Sequence, residues 1–235
     1  MIDPLQPEAT ASDTPRLYVW TIALSTLAAL VPTLWTTLDL QAAALFAGPQ
    51  APIKAVDWWW VEWINAQIPT VFRYGLLIAL VGWLAAMLLK RWSDWRLPLA
   101  FVVIAGILGP GAAVNWGFKD NWQRARPYQV ENFGGTQKFT RAAVITDQCD
   151  ANCSFVSGHV ACGVFLISVG LVHRRRQRLW AAAGVASGLV IGFSRMADVA
   201  HWFSDVLWAF PITLCVSWLV WKALLLYRRP SSTVG

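Results

Sequence analysis

Long apolar stretches alternate with short polar ones along the whole chain of 235 residues. The predicted membrane spans cover 17–38, 70–89, 97–118, 155–172, 179–193 and 202–227. A helix crosses the hydrocarbon core of a bilayer with about 20 mostly apolar residues, and the first stretch has 22. The pattern therefore predicts an all-α polytopic membrane protein with six transmembrane helices.

The two ends of the chain are polar and differ from this apolar body. We predict a flexible cytoplasmic tail over 1–16, a single six-helix transmembrane domain over 17–229, and a second cytoplasmic tail over 230–235. The first span could instead be a signal peptide. Its apolar region is longer than that of a signal peptide, however, and acidic residues precede it, which favours a membrane anchor.

The segment 57–67 mixes tryptophans with polar side chains. It contains Trp58, Trp59, Trp60 and Trp63 beside acidic and amide residues. This composition predicts a short amphipathic helix that lies in the membrane interface. The alternative is a wide aromatic belt, which also accounts for most of the 16 tryptophans.

The basic residues predict the orientation of the spans. The segments 90–96 and 173–178 and the end of the last span are rich in Arg and Lys, which places them and both termini in the cytoplasm. The same loops account for most of the net charge of +6, so we expect no nucleic-acid partner. The intervening loops would then face the periplasm from a bacterial inner membrane.

One outward loop, 119–154, contradicts this charge rule. Its five basic residues are Lys119, Arg124, Arg126, Lys138 and Arg141. A cluster of cations on the outer side needs a reason, and an anionic ligand supplies one.

Two cysteines of the outward loop, Cys149 and Cys153, have three residues between them. In an oxidising compartment they could form a small disulfide, provided that the chain turns at 150–152. A metal pair is the less favoured alternative, because no other Cys or His lies nearby in the sequence. The remaining cysteines, Cys162 and Cys215, fall inside predicted spans and are interpreted as packing residues.

Three clusters of polar residues fall at the outward ends of the spans. The first holds Lys119 and Arg126 before a proline, the second is Ser157-Gly158-His159, and the third holds Arg195, His201 and Asp205. Lys119, Arg126 and Arg195 give three cations suited to the oxygens of a phosphoryl group.

The other members of the clusters complete a phosphoryl-transfer site. Ser157 and Gly158 would offer a hydroxyl and main-chain N–H groups at a helix start, where an anion is stabilised. His201 and Asp205 are four residues apart, which on a helix places them on one face, so the carboxylate could orient the imidazole. His201 would attack phosphorus, and His159 would protonate the leaving oxygen. We expect no metal and no other cofactor.

The three clusters resemble the signature of the type 2 phosphatidic acid phosphatase (PAP2) superfamily, K-x6-R-P, P-S-G-H and S-R-x5-H-x3-D. Val156 stands where the family usually has proline. The resemblance implies a helical membrane bundle, a phosphohistidine at His201 that Asp205 orients, and His159 as the general acid. It also implies phosphate binding by Lys119, Arg126, Ser157, Gly158 and Arg195. The residues 133–135 and 153–158 are similar to a bacterial lipid A phosphatase-like subgroup.

The expected function is that of an inner-membrane lipid phosphatase with a periplasmic active site. Candidate substrates are lipid A, undecaprenyl diphosphate (a polyprenyl diphosphate), phosphatidylglycerol phosphate and phosphatidic acid, and the sequence does not choose among these membrane lipids. A lipid phosphotransferase is the alternative enzyme, and a non-catalytic lipid carrier or scaffold is the alternative from another class. A soluble vanadate-dependent haloperoxidase of the same superfamily is disfavoured by the six spans. The oligomeric state and the route of lipid entry stay open.

Overall fold

The computed structural model describes residues 15–228, and the tails predicted at the two ends lie outside them, apart from positions 15 and 16. The α-helices are α1 (Arg16–Leu34), α2 (Thr37–Ala44), α3 (Trp59–Leu88), α4 (Arg96–Gly106), α5 (Asp120–Trp122), α6 (Gly158–Val172), α7 (Gln177–Ala197) and α8 (Phe203–Arg228). Within the described residues, β-pairing is limited to one isolated bridge between Val130 and Gln137. The predicted all-α architecture is confirmed.

Between residues 15 and 228, five helical segments are long and apolar enough to cross a membrane. They are Arg16–Leu34, Trp59–Leu88, Lys90–Gln129, Arg174–Ala197 and Phe203–Tyr227. The predicted fourth span corresponds to α6, whose 15 residues extend over about 22 Å, less than the roughly 30 Å hydrocarbon core. The chain is therefore a multi-pass membrane protein, and the count of six spans stays a prediction.

The prediction of a separate interfacial helix over 57–67 is wrong. Asp57 ends a 3-10 turn and Trp58 precedes α3, while the residues from Trp59 onward form the first turns of α3, a continuous helix of 30 residues that runs through Pro69. Main-chain hydrogen bonds continue across this proline, so the polar pattern before it does not mark a separate element. The exposed Trp59 and Trp63 project from the N-terminal end of α3.

The predicted third span is one continuous helical path with two geometries. The first part, α4, is a regular α-helix. The residues Ile107–Lys119 follow as a π-helix that includes Pro110. The Asn115 side-chain amide donates to the Pro110 carbonyl at 3.1 Å. The wider π-helix agrees with the glycine- and proline-rich middle of this span, and it ends at Lys119.

Helix α6 lies in the middle of the bundle and packs closely against α7 and α8. A Cβ atom added to Gly184 of α7 would lie 2.7 Å from the main-chain nitrogen of Ile167 in α6. One on Gly188 of α7 would lie 2.8 Å from the Val164 side chain of α6 and 2.6 Å from the Phe210 ring of α8. Small residues let membrane helices approach in this way. The close contact fixes the start of α6 beside the end of α7.

The polar segment between α5 and α6 folds over one end of the bundle. Trp202 is buried beneath it and donates from Nε1 to the carbonyl of Ala125 at 2.8 Å. The ring of Phe139 packs edge-on against Trp202 with centroids 4.8 Å apart. This packing brings the polar segment against the turn that joins α7 to α8.

Candidate active site

His201 lies in the turn between α7 and α8 and is 2% exposed. Val199 in the same turn has a left-handed backbone with a φ of 56°, which turns the chain back towards the bundle. The Nδ1 atom of His201 lies 2.8 Å from the main-chain oxygen of Ser154. Because a carbonyl oxygen only accepts, Nδ1 carries the proton and Nε2 keeps its lone pair. Nε2 is buried and has no hydrogen-bond partner among residues 15–228.

Asp205 does not make the expected direct contact with His201. Helix α8 begins at Phe203, so the two residues do not share a helix face. The Nδ1 atom of His201 is 3.8 Å from Oδ2 of Asp205, beyond hydrogen-bonding distance. Oδ2 instead accepts from the hydroxyl of Ser154 and from the main-chain N–H of Trp202 at 3.0 Å. The carboxylate therefore reaches the imidazole through Ser154.

A buried charge network holds Asp205 from its other side. The guanidinium of Arg124 donates to Oδ1 of Asp205 at 2.5 Å and to Oδ2 of Asp39 at 2.8 Å. Ser204 joins the same network, accepting from Arg124 and donating to Asp39. The side chains of all three charged residues are fully buried. Burial raises the pKa of Asp39, and the charge of Arg124 opposes that rise.

Lys119 and Arg126 converge on Asn152. The Lys119 ammonium donates to the Asn152 side-chain oxygen at 3.1 Å. The Arg126 guanidinium donates to the Asn152 main-chain oxygen through Nε at 3.1 Å and Nη2 at 2.7 Å. Two of the predicted phosphate-binding cations are thus held by one residue.

Asn152 lies within the loop between the two outward cysteines. The structure pairs Cys149 with Cys153, whose Cα atoms are 5.7 Å apart, within the usual range for a disulfide. Asn152 has a left-handed backbone with a φ of 50°, which supplies the turn required between the cysteines. Disulfide formation in the native compartment stays a prediction.

The third cation, Arg195, lies in the last turn of α7 and forms an ion pair with Asp198 at 2.9 Å. Its Nε atom is buried without a hydrogen-bond partner in the described part of the chain, as is the hydroxyl of Ser157. Ser157 precedes the first residue of α6, Gly158. A Cβ atom on Gly158 would lie 3.9 Å from the Lys119 ammonium, which places that cation at the start of the helix.

His159 is positioned by helix α3. Its Nε2 atom lies 3.0 Å from the main-chain oxygen of Asn65, and the side-chain oxygen of Asn65 accepts from the hydroxyl of Ser194 at 3.0 Å. Nε2 therefore carries a proton, and Nδ1 is the nitrogen left for a second one. An acid role for His159 would use Nδ1.

The electrostatic surroundings keep His201 neutral. Burial lowers the pKa of His201 well below its ordinary value, and Arg195, Arg126 and Lys119 lower the pKa further, in that order. A neutral imidazole with a free Nε2 is the nucleophilic form. The cations that favour this form are the ones predicted to bind an anion.

Several site residues were not assigned by the sequence. Arg124 was noted only as one basic residue of the outward loop, and Asp39, Ser154, Asn152 and Asn65 were given no role. Asp39 did carry a signal, because it is an isolated acid between Leu38 and Leu40 just after the first span. The contacts of Asn65 with His159 and of Ser154 with His201 run through main-chain oxygens, which no side-chain pattern reveals.

Clusters of three or more His, Cys, Asp or Glu side chains suited to a metal ion do not occur in the part of the chain from 15 to 228. Besides Asp205, the charged groups that act on His201 are the cations Lys119, Arg126 and Arg195. Such groups suit an anion with several oxygens.

The profile of the PAP2 superfamily matches residues 97–229. The chain belongs to the PAP2 superfamily. The match contains the described helices from α4 to α8, and every predicted catalytic and phosphate-binding residue lies within it. Helices α1 to α3 precede it, so Asp39 and Asn65 lie outside the matched part of this PAP2 protein.

Curated relatives extend the similarity towards the N-terminus. The lipid A 4'-phosphatase of Francisella tularensis subsp. novicida is 33% identical over 202 residues, covering 83% of this chain and 89% of that protein. The lipid A 4'-phosphatase of Rhizobium leguminosarum is 36% identical over 101 residues, 43% of each chain. The lipid A 4'-phosphatase of Rhizobium etli is 35% identical over 101 residues, 43% of this chain and 39% of its own.

The predicted place in the lipid-phosphatase branch of the PAP2 superfamily is confirmed, since these relatives carry the name of a lipid phosphatase. No solved structure matches the chain. The roles of the individual site residues stay predictions.

Proposed function

We propose that this protein removes a phosphate group from lipid A, by way of a phosphohistidine at His201, on the periplasmic side of a bacterial inner membrane. A lipid phosphatase is the activity that the family and its relatives support. Lipid A is the first candidate because the relative covering most of the chain is named a lipid A 4'-phosphatase. We assign the 4'-phosphate as the group removed.

One observation carries the proposal: the Nε2 of His201 is buried with no hydrogen-bond partner among residues 15–228. The charges of Arg195, Arg126 and Lys119 act on this imidazole and help to lower its pKa. The phosphate oxygens would bind Lys119, Arg126 and Arg195, and the hydroxyl of Ser157 with the N–H groups of α6 would add further donors. These groups neutralise charge that builds up on the equatorial oxygens during transfer.

The reaction would proceed as two in-line displacements. Nε2 of His201 attacks phosphorus, and the bond from phosphorus to the sugar oxygen breaks while His159, which must enter this step doubly protonated, gives that oxygen the proton of Nδ1. Water then attacks the phosphohistidine, His159 takes its proton, and inorganic phosphate leaves with the imidazole restored. Atoms and charge balance without a further reactant.

The test is phosphate release by purified protein in detergent with a chelator present. The panel holds lipid A, undecaprenyl diphosphate, phosphatidylglycerol phosphate and phosphatidic acid. We expect release from lipid A, loss of release in His201→Ala, and retention in the matched control His173→Ala. His173 is remote from the site and suits a control because its Nδ1 accepts from Trp180 at 3.1 Å at the opposite end of α6.

Product analysis decides the finer claims. Mass spectrometry of the dephosphorylated lipid A separates loss of the 4'-phosphate from loss of the 1-phosphate. A phosphorylated acceptor lipid without free phosphate would establish transfer instead of hydrolysis. Release that persists unchanged in His201→Ala would overturn the phosphohistidine mechanism.

A further inference from the structure

Asp39 is a fully buried carboxylate in α2, outside the part of the chain that the family profile matches. Both of its oxygens are used: Oδ1 accepts from the main-chain N–H of Ser204 at 2.8 Å, and Oδ2 accepts from Arg124 and from the Ser204 hydroxyl. A buried charge is costly unless it is paired and hydrogen-bonded. An acid retained at such a position has a specific partner, and that partner is Arg124.

Arg124 in turn holds Ser154 by two routes. Its guanidinium fixes Asp205, which accepts from the Ser154 hydroxyl, and its main-chain oxygen accepts from the Ser154 N–H at 2.9 Å. The third polar group of Ser154, its carbonyl oxygen, receives the proton of His201 Nδ1. A continuous set of hydrogen bonds therefore joins Asp39 to the imidazole.

We propose that Asp39 is a positioning residue for His201, acting through Arg124, Asp205 and Ser154 on the direction of the imidazole Nε2 lone pair. The inference rests on the proposed function, because it requires His201 to be the attacking group. The helix α2, which precedes the residues shared with the family, then contributes to catalysis without touching the substrate.

The geometry gives the physical reason for such an effect. Without the Asp39 carboxylate, the Nη2 group of Arg124 loses its acceptor while Nη1 keeps Ser204 and Asp205. The Nε atom of Arg124 still donates to the Thr140 carbonyl at 2.9 Å, so the guanidinium pivots about that bond towards its remaining partners. Asp205 and the Ser154 carbonyl would move with it. A misplacement of about 1 Å can slow a reaction by about 100-fold, even when it originates away from the reacting atoms.

The test compares Asp39→Asn with Ser204→Ala in purified protein, with kcat and KM corrected for the folded fraction. Both variants should lower kcat by about 10-fold to 100-fold, the range for groups that orient a catalytic side chain indirectly. KM and the inhibition constant of inorganic phosphate should stay unchanged, because Lys119, Arg126 and Arg195 are untouched. The rate of phosphohistidine formation should fall together with kcat.

The matched control is Ser168→Ala. Ser168 is fully buried, like Ser204, and it hydrogen-bonds the Tyr18 hydroxyl at 3.0 Å inside the bundle. The Ser168→Ala variant should lose thermal stability without any loss of kcat per folded molecule. Ser204→Ala keeps its main-chain bond to Asp39, so it remains informative if Asp39→Asn does not fold.

A double variant sharpens the test, because both substitutions act on Arg124. The fold reduction in kcat of the double variant Asp39→Asn/Ser204→Ala should be smaller than the product of the fold reductions of the two single variants. An unchanged kcat in either single variant, or a loss in the double equal to that product, would overturn the inference.

The outcomes separate the inference from the proposed function. Wild-type protein that releases no phosphate, or releases it independently of His201, contradicts the function itself. Release that depends on His201 but is indifferent to Asp39 contradicts only the positioning role.

Discussion

His201 donates from Nδ1 to the main-chain oxygen of Ser154 at 2.8 Å, while the carboxylate of Asp205 stays 3.8 Å away. The imidazole is therefore oriented by a carbonyl group, whose place depends on the loop that contains it. Asp205 fixes that loop by accepting from the Ser154 hydroxyl. Asp205 therefore orients the imidazole indirectly, through Ser154.

This arrangement predicts a moderate effect of Asp205→Asn. When an aspartate bonds a catalytic histidine directly, its replacement by asparagine lowers kcat by about 10⁴-fold, because the wrong tautomer forms. Here the Ser154 carbonyl still selects the Nδ1–H tautomer in the variant. We expect kcat to fall by about 10-fold to 100-fold, as for an indirect orienting group.

The measurement is kcat for lipid phosphate release per folded molecule, with His201→Ala as the inactive reference. A loss in Asp205→Asn as complete as in His201→Ala would contradict the indirect role. It would mean that the carboxylate bonds the imidazole once substrate is present.

The sequence predicted the helical membrane architecture because the apolar stretches are long and sharply bounded. It failed over 57–67, where polar residues suggested a separate interfacial helix. The structure continues that segment into α3 through Pro69, which lies inside the helix, removes one main-chain hydrogen bond there and does not end it. Burial of α6 among its neighbours likewise cannot be read from its composition.

The sequence named candidate site residues where side-chain types repeat a known spacing, as with Lys119, Arg126 and Arg195, whose roles stay predictions. The expected bond between His201 and Asp205 assumed that both lie on one helix, and the helix begins only at Phe203. Asn152 and Ser154 were missed because they act largely through main-chain oxygens, whose contacts depend on the folded loop. Their sequence neighbours gave no sign of those contacts.

The double variant Cys149→Ser/Cys153→Ser should raise KM for the lipid phosphate. The cysteines enclose Asn152, which holds Lys119 and Arg126 in place. A loosened loop weakens the placement of these cations, and a hydrogen bond from a charged group contributes about 1.5 kcal/mol, so we expect KM to rise roughly 10-fold. kcat should change less, because His201 remains present.

Mass spectrometry without reductant first establishes whether the cysteines are paired in protein purified from its native compartment. The matched control is Cys162→Ser/Cys215→Ser, whose thiols lie on α6 and α8 and are free. Two free thiols at 149 and 153 would end the disulfide prediction. A KM that stays at the wild-type value would show that the loop does not need the bond.

The lowered pKa of His201 predicts how stability depends on pH. As the pH falls below 6.5, the ordinary pKa of histidine, His201 takes up a proton in the unfolded chain but stays unprotonated in the native state. The native state is therefore favoured above that pH and loses stability below it, by up to about 1.4 kcal/mol per pH unit. His201→Gln cannot titrate and should lack this contribution.

The measurement is the thermal midpoint of both proteins in detergent at a series of pH values on either side of 6.5. Other groups, including Asp39, titrate in both proteins and cancel in the difference. As the pH decreases, the thermal midpoint of the wild-type protein should fall steadily relative to that of His201→Gln. Parallel curves would mean that His201 takes up its proton at the same pH in the native and unfolded states, which would contradict the lowered pKa.

The predicted sidedness has a direct test in whole cells. Thr136 and Ser93 are both exposed, the first in the segment that folds over the active-site end and the second between α3 and α4. A single cysteine introduced at Thr136 should react with a membrane-impermeant maleimide added outside intact cells. One at Ser93 should react only after the cells are broken, because the basic segment around it is predicted to be cytoplasmic. Labelling of the wild-type protein measures the background from Cys162 and Cys215. If intact cells protect the cysteine at 136 and allow labelling of the one at 93, the predicted orientation is reversed and the site lies on the cytoplasmic face.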